Sequence, residues 1–165
     1  MPQEMKMREA IKIAIQTEKD VMDFYLKAAL LTNNERGKKV FEQLAKEERE
    51  HAGLFFKIYT GSDLGSFEDF MAQPPRPNHA MLKQLEKSLD ENVHERKAME
   101  LALKEEEDPG KSLRMTAAHI VDPGVRAVFD RMAEETEIHY AIIESEYAHM
   151  MGMVHETDID TYVRE

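Results

Sequence analysis

Cysteine is absent from all 165 residues. That removes disulfides, thiolate zinc sites, cysteine-ligated iron–sulfur centres and a cysteine nucleophile. Glycine and proline are scarce, at seven and six residues, so few positions favour breaking a helix. No apolar run approaches the roughly 20 residues of a membrane-spanning helix, and the opening Met1-Pro2-Gln3-Glu4-Met5-Lys6-Met7-Arg8-Glu9 lacks the apolar core of a signal peptide. A cytoplasmic location with no membrane partner is therefore the expectation. Basic residues are outnumbered, 22 Lys and Arg against 33 Asp and Glu, for a formal net charge of −11. Nucleic-acid partners depend on cations that neutralise phosphate, so this balance argues against them. It suits a solvated acidic surface and the attraction of cations.

What is present points to helices. The chain is 42% hydrophobic and 33% charged, rich in Ala, Glu, Lys, Leu and Met, and long enough for one well-filled core. Sliding it against itself by 88 positions exposes an ungapped repeat: between residues 10–59 and 98–147, eleven of fifty positions are identical. They include Ala14/Ala102, Glu18/Glu106, Phe41/Phe129, Ala45/Ala133, Glu47/Glu135 and His51/His139. The first copy reads as a helix hairpin. One helix runs from about Gln3 to Leu31 with the core stripe Ile11, Ala14, Ile15, Glu18, Met22, Tyr25, Ala29; a turn at Thr32-Asn33-Asn34 leads into a second helix ending near Tyr59. Residues 61–78, with two Gly and three Pro, form a crossover to the second hairpin.

In the second copy residues 79–107 read as helical. Asp108-Pro109-Gly110 then predicts a kink or break, with Asp108 capping a restarted helix that ends near Val121. Asp122-Pro123 repeats the start signal for a last helix reaching about Met150. The expected architecture is all-α: a four-helix bundle of two duplicated hairpins over residues 1–154, joined by a long crossover, with a polar tail at 155–165.

Polar residues interrupt the apolar stripes. On the second helix the row Phe41, Leu44, Glu48, His51, Phe55, Tyr59 puts a carboxylate and an imidazole one turn apart on the core face. A buried carboxylate needs a metal ion, a cationic partner or a retained proton. Glu-x-x-His from the helices of a bundle is a di-iron ligand unit. The duplication brings Glu18, Glu48, His51, Glu106 and His139 to matching heights, a set of oxygen and imidazole donors suited to iron or manganese.

With Ala14-Ile15-Gln16-Thr17-Glu18 and Tyr25 in the first helix, Phe41-Glu42-Gln43-Leu44-Ala45-Lys46-Glu47-Glu48-Arg49-Glu50-His51 in the second, and Phe129, Met132, Ala133, Glu135 and His139 in the last, the chain resembles the rubrerythrin branch of the ferritin-like di-iron carboxylate superfamily. The resemblance implies a ferritin-like bundle in which Glu18 and Glu106 are terminal carboxylate ligands, Glu48 a bridging one, and His51 and His139 the imidazoles. It also wants a Glu three residues before the last His, where this chain has Thr136. Glu135 either reaches in to replace it or lies outside the ligand set. Tyr25 either hydrogen-bonds a ligand or packs.

A rubredoxin-like domain needs cysteines, so the resemblance is to the stand-alone bundle. It implies a di-iron centre, with manganese or zinc as substitutes or a single ion bound, and reduction of hydrogen peroxide or dioxygen with electrons from an external donor protein. It also implies a homodimer, in which a break at Pro109 provides a hinge for helix exchange. The alternatives are ferroxidation or iron binding without reductive turnover, and a metal-depleted structural bundle.

Overall fold

The computed structural model describes residues 2–88 and 94–150, leaving out the side chains of residues 2–5, 88, 94–97, 105–110 and 150. Among the described residues there are six helices and no strand: α1 (Pro2–Leu31), α2 (Glu35–Ile58), α3 (Phe67–Ala72), α4 (Ala80–Ser88), α5 (His94–Ala118) and α6 (Pro123–Met150). This is the expected ferritin-like helical bundle. The tail expected at 155–165 lies outside the described residues.

Local chemistry sets the boundaries. Asn34 caps α2, its side chain accepting from the Gly37 amide at 2.9 Å. Asp122 caps α6, its Oδ1 accepting from the amides of Gly124 at 2.8 Å and Val125 at 3.1 Å, while Pro123 takes the first helical position, where no amide hydrogen is needed. The duplication is structural as well. Shifted by 88 residues, α2 falls on 123–146, the body of α6, and α1 falls on α5.

One expectation is corrected. Helix α5 runs unbroken from His94 to Ala118 through Pro109 and Gly110, so no helix restarts at Asp108. An interior proline costs about 3 kcal/mol, but α5 is anchored on both sides of it: Ala98, Met99, Leu101 and Ala102 are buried before Pro109, and Leu113 and Ala117 after it. Tertiary packing on each flank carries the helix across the defect. The hinge expected for helix exchange is absent with the break. The crossover, as expected a long connection, is partly helical. It contains α3, capped by Ser66, whose Oγ accepts from the Asp69 amide at 3.1 Å.

Helix α1 pairs along α2, and α5 along α6. Buried alanines (Ala14, Ala28, Ala29, Ala45 and Ala52 in the first hairpin; Ala98, Ala102, Ala117 and Ala133 in the second) allow close approach. Larger groups bridge the two hairpins, among them Phe55 edge-on to Phe129 with centroids 5.0 Å apart. Arg36 on α2 grips the Glu146 carboxylate on α6 through Nε and Nη2 at 2.9–3.2 Å.

Eight consecutive residues of α1, Glu18 to Tyr25, are all buried. Sequence periodicity assigned only one face of this helix to a core; the crossover covers the other. Lys19 pairs with Asp23 and donates to the Gln73 carbonyl at 2.9 Å. Arg76 pairs with Asp20, its Nε at 3.1 Å from Oδ1. His79 Nε2 meets the Asp20 carbonyl at 2.8 Å while its Nδ1 faces the Leu82 amide at 3.4 Å, so the ring is held between α1 and the start of α4. Helix α1 is thus clamped on the side away from the bundle interior, at the height of Glu18.

Candidate metal centre

Four of the expected ligands converge between the hairpins. Glu18 on α1, Glu48 and His51 on α2 and His139 on α6 have exposures of 5%, 3%, 5% and 0%. On α2 they occupy the stripe Phe41, Leu44, Glu48, His51, Phe55, buried throughout. On α6 the matching stripe is Met132, Thr136, His139, Ile143. Helical periodicity dictates both rows.

His51 Nδ1 stands 3.6 Å from Glu18 Oε2 and 3.6 Å from Glu48 Oε2. These separations are too long for good hydrogen bonds, and this buried nitrogen makes none. His139 Nδ1 contacts Glu48 Oε1 at 2.9 Å. The imidazole rings lie nearly parallel, centroids 5.2 Å apart and planes 19° apart. One donor atom each from Glu48, His51 and His139 falls within 4.8 Å of the others.

Burial, together with the Glu48 carboxylate, raises the Glu18 carboxyl well above its usual range, with His51 pulling the other way. Burial pulls His51 down, but the Glu18 and Glu48 carboxylates outweigh it and raise its pKa to about 10. Without a cation, the cluster relieves its charge by holding protons. Two carboxylates and two neutral imidazoles sum to −2, the charge one divalent cation cancels. The orphaned His51 nitrogen facing two carboxylate oxygens is therefore what a metal pocket requires, and the donor set fits iron, manganese or zinc.

The remaining expected residues are placed as follows. Glu106 lies on α5, but its side chain is outside the described residues. Thr136 faces the core at 4% exposure, yet its hydroxyl donates to the Met132 carbonyl at 2.8 Å and is committed to its own helix. Glu135 is close by: its Oε2 lies 3.9 Å from His51 Nε2, with the side chain 32% exposed. Glu47 mirrors it, with Oε2 3.7 Å from His139 Nε2 and 31% of the side chain exposed. The duplication thus produces reciprocal pairs, each hairpin's histidine facing an acid from the other. The spacing of Glu47 before Glu48 and of Glu135 before Thr136 was visible in the sequence. Their crossing to the opposite histidine was not. Tyr25 is fully buried, stacked on Phe41 with centroids 6.0 Å apart and edge-on to Phe24 at 5.7 Å.

A duplicated helical bundle with an acid–imidazole cluster buried between its halves defines a ferritin-like protein with a candidate metal centre. More particularly, the rubrerythrin family model matches residues 9–147, so the chain belongs to the rubrerythrin family. No curated protein and no solved structure matches it. No described helix is long and apolar enough to cross a membrane.

Proposed function

We propose that this protein is a non-haem iron oxidoreductase that reduces hydrogen peroxide or dioxygen with electrons from an external donor protein. The observation that carries the reading is the buried His51 nitrogen, without a hydrogen bond, 3.6 Å from a carboxylate oxygen of both Glu18 and Glu48. Glu18, Glu48, His51 and His139 would hold iron, with Glu106 as a further carboxylate from the repeat mate of α1. Bound iron supplies electrons that the side chains cannot, two of them per peroxide reduced to water.

The side chains do the rest. The carboxylates and imidazoles bind and neutralise a cation in a mostly dry site. Glu47 and Glu135, each facing the outer nitrogen of a histidine, favour the tautomer that turns Nδ1 inward and orient the rings. Phe55 and Phe129, one turn beyond His51 and two turns before Thr136, close the apolar layer beside the cluster. Glu18 and His51 hold protons in the metal-free chain and release them when a cation enters, so loading weakens as pH falls.

Thr136 favours a second reading. Its hydroxyl is occupied by Met132, so α6 brings no carboxylate in the expected bridging place. One side of the centre is poorer in charge, and iron binding or ferroxidation without reductive turnover would then follow. Peroxide consumption by the iron-loaded protein with a reducing donor distinguishes the two. Sustained turnover that disappears in Glu48→Gln supports the oxidoreductase, and iron oxidation with no sustained peroxide loss supports the alternative.

A further inference from the structure

Glu18 enters the cluster from one side of α1, and the opposite side of the same turn carries a second buried polar group. Lys19, Asp20 and Asp23 lie about 100°, 200° and 140° round the helix from Glu18, and all three are buried. Their partners come from the crossover. Lys19 pairs with Asp23 and donates to the Gln73 carbonyl at 2.9 Å. Arg76 forks onto the Asp20 carboxylate through Nε and Nη2, and Gln16 Nε2 donates to the same carboxylate at 2.9 Å. His79 reaches the Asp20 backbone carbonyl at 2.8 Å. That last contact grips the helix itself, two residues from Glu18, rather than a side chain.

Stability alone explains this arrangement poorly. Apolar residues of the same volume often match or exceed a buried ion pair in stability, and the best-attested use of such a pair is to fix register. Toward the bundle, the neighbours of Glu18 along α1 are Ala14, Ile15 and Met22, all buried. Their apolar contacts are non-directional and resist sliding or rotation of the helix weakly.

The cluster is where register matters. A carboxylate about 6 Å from the helix axis moves about 1 Å when the helix turns by about 10°, whereas metal sites tolerate displacements of about 0.2–0.5 Å. Hydrogen bonds of fixed direction at Lys19 and at both the side chain and the carbonyl of Asp20 oppose such a turn.

We propose that the crossover, through Gln73, Arg76 and His79, positions Glu18 for cation binding, with Lys19, Asp20 and Asp23 as the positioning residues on α1. The inference rests on the reading of the cluster as a metal centre. Linkage makes the coupling reciprocal: a cation held by Glu18 tightens the crossover on α1.

Arg76, whose side chain is half exposed, is the member of the clamp that can be replaced without opening the core. The probe is manganous ion, its affinity measured by competition with a chelating dye at a temperature where every variant is folded. Arg76→Met is expected to weaken binding about tenfold with helical circular dichroism unchanged, and Arg76→Lys, which restores the charge, to recover part of the loss. Lys12→Met is the matched control. It removes another pairing between α1 and the crossover, to Asp63 at 2.6 Å, but at an exposed site away from Glu18, and should change affinity by less than about twofold. In Glu18→Gln, which keeps Glu48, His51 and His139 as donors, adding Arg76→Met should likewise cost less than about twofold. Unchanged binding in Arg76→Met, an equal loss in Lys12→Met, or the full loss on top of Glu18→Gln overturns the proposal. Limited digestion by a protease of broad specificity reads the reciprocal effect. Saturating manganous ion should slow cleavage within 73–79 several-fold and leave the 119–122 turn unaffected; equal slowing at both, or none at 73–79, overturns the coupling. Failure of the metal reading shows differently, as a parent chain that takes up no manganous ion, and removes the proposal with it.

Discussion

Glu48→Gln separates the two demands that the cluster places on one residue. Glu48 Oε1 contacts His139 Nδ1 at 2.9 Å and its Oε2 stands 3.6 Å from His51 Nδ1; it is 3% exposed, and its charge helps push Glu18 upward. Glutamine keeps the shape and one carbonyl acceptor for the histidine but removes a buried charge that repels Glu18. The metal-free variant should therefore unfold within about 1–2 kcal/mol of the parent, since losing the repulsion offsets the loss of a charge-assisted contact.

The metal-bound comparison should differ sharply. A cation present at about 100 times its dissociation constant stabilises the folded chain by about 2.7 kcal/mol. For a chain of this size that raises the melting temperature by roughly 5–10 °C. Amide oxygens hold iron or manganese poorly, so the variant should lose most of this rise. The assay is thermal unfolding followed by circular dichroism, with and without ferrous or manganous ion under anaerobic conditions. An equal metal-induced rise in parent and variant would refute the reasoning, as would no rise in the parent.

Three further outcomes follow from the same geometry. Glu135→Gln and Glu47→Gln should each weaken metal affinity about 10- to 100-fold with little effect on the fold, measured by competition with a chelating dye; an unchanged affinity in both would show that facing a histidine nitrogen across the hairpins has no consequence. In the metal-free chain, His51 is raised from 6.5 to about 10, so its stabilising contribution is fully present below pH 6.5 and is lost as pH rises through 10; the raised Glu18 carboxyl works in the same direction. Denaturant titrations should show stability declining over that window, and His51→Gln should flatten the decline. Lys19→Met leaves Asp23 buried without its cation and removes the hold on the Gln73 carbonyl, which should cost about 3–5 kcal/mol and speed cleavage of the 73–79 segment by a protease of broad specificity; a cost below 1 kcal/mol would show that the clamp contributes little.

Much of this was legible in the sequence, for identifiable reasons. The 88-residue register predicted which helices pair. The interrupted stripes predicted that Glu18, Glu48, His51 and His139 turn inward, because a period of 3.6 residues fixes a face whatever the neighbours do. The turn at Asn34 and the start at Asp122-Pro123 were readable from capping chemistry. Pro109 was misleading: local propensity argued for a break, but burial on both flanks outweighed it. The second buried face of α1 was hidden because Lys19, Asp20 and Asp23 look like a solvated surface until Gln73, Arg76 and His79 come back from more than 50 residues away to meet them. The reciprocal acids Glu47 and Glu135 were visible as repeat mates, but their contacts cross between the hairpins, and spacing along one helix carries no information about that.

The account stands most directly on the metal content of the purified protein. Chain produced in iron-supplemented medium and analysed by atomic emission should carry at least one iron per chain, falling to background when Glu48 and His51 are both replaced, by Gln and Ala. A parent chain without bound metal, or iron retained in full by the double variant, would contradict it.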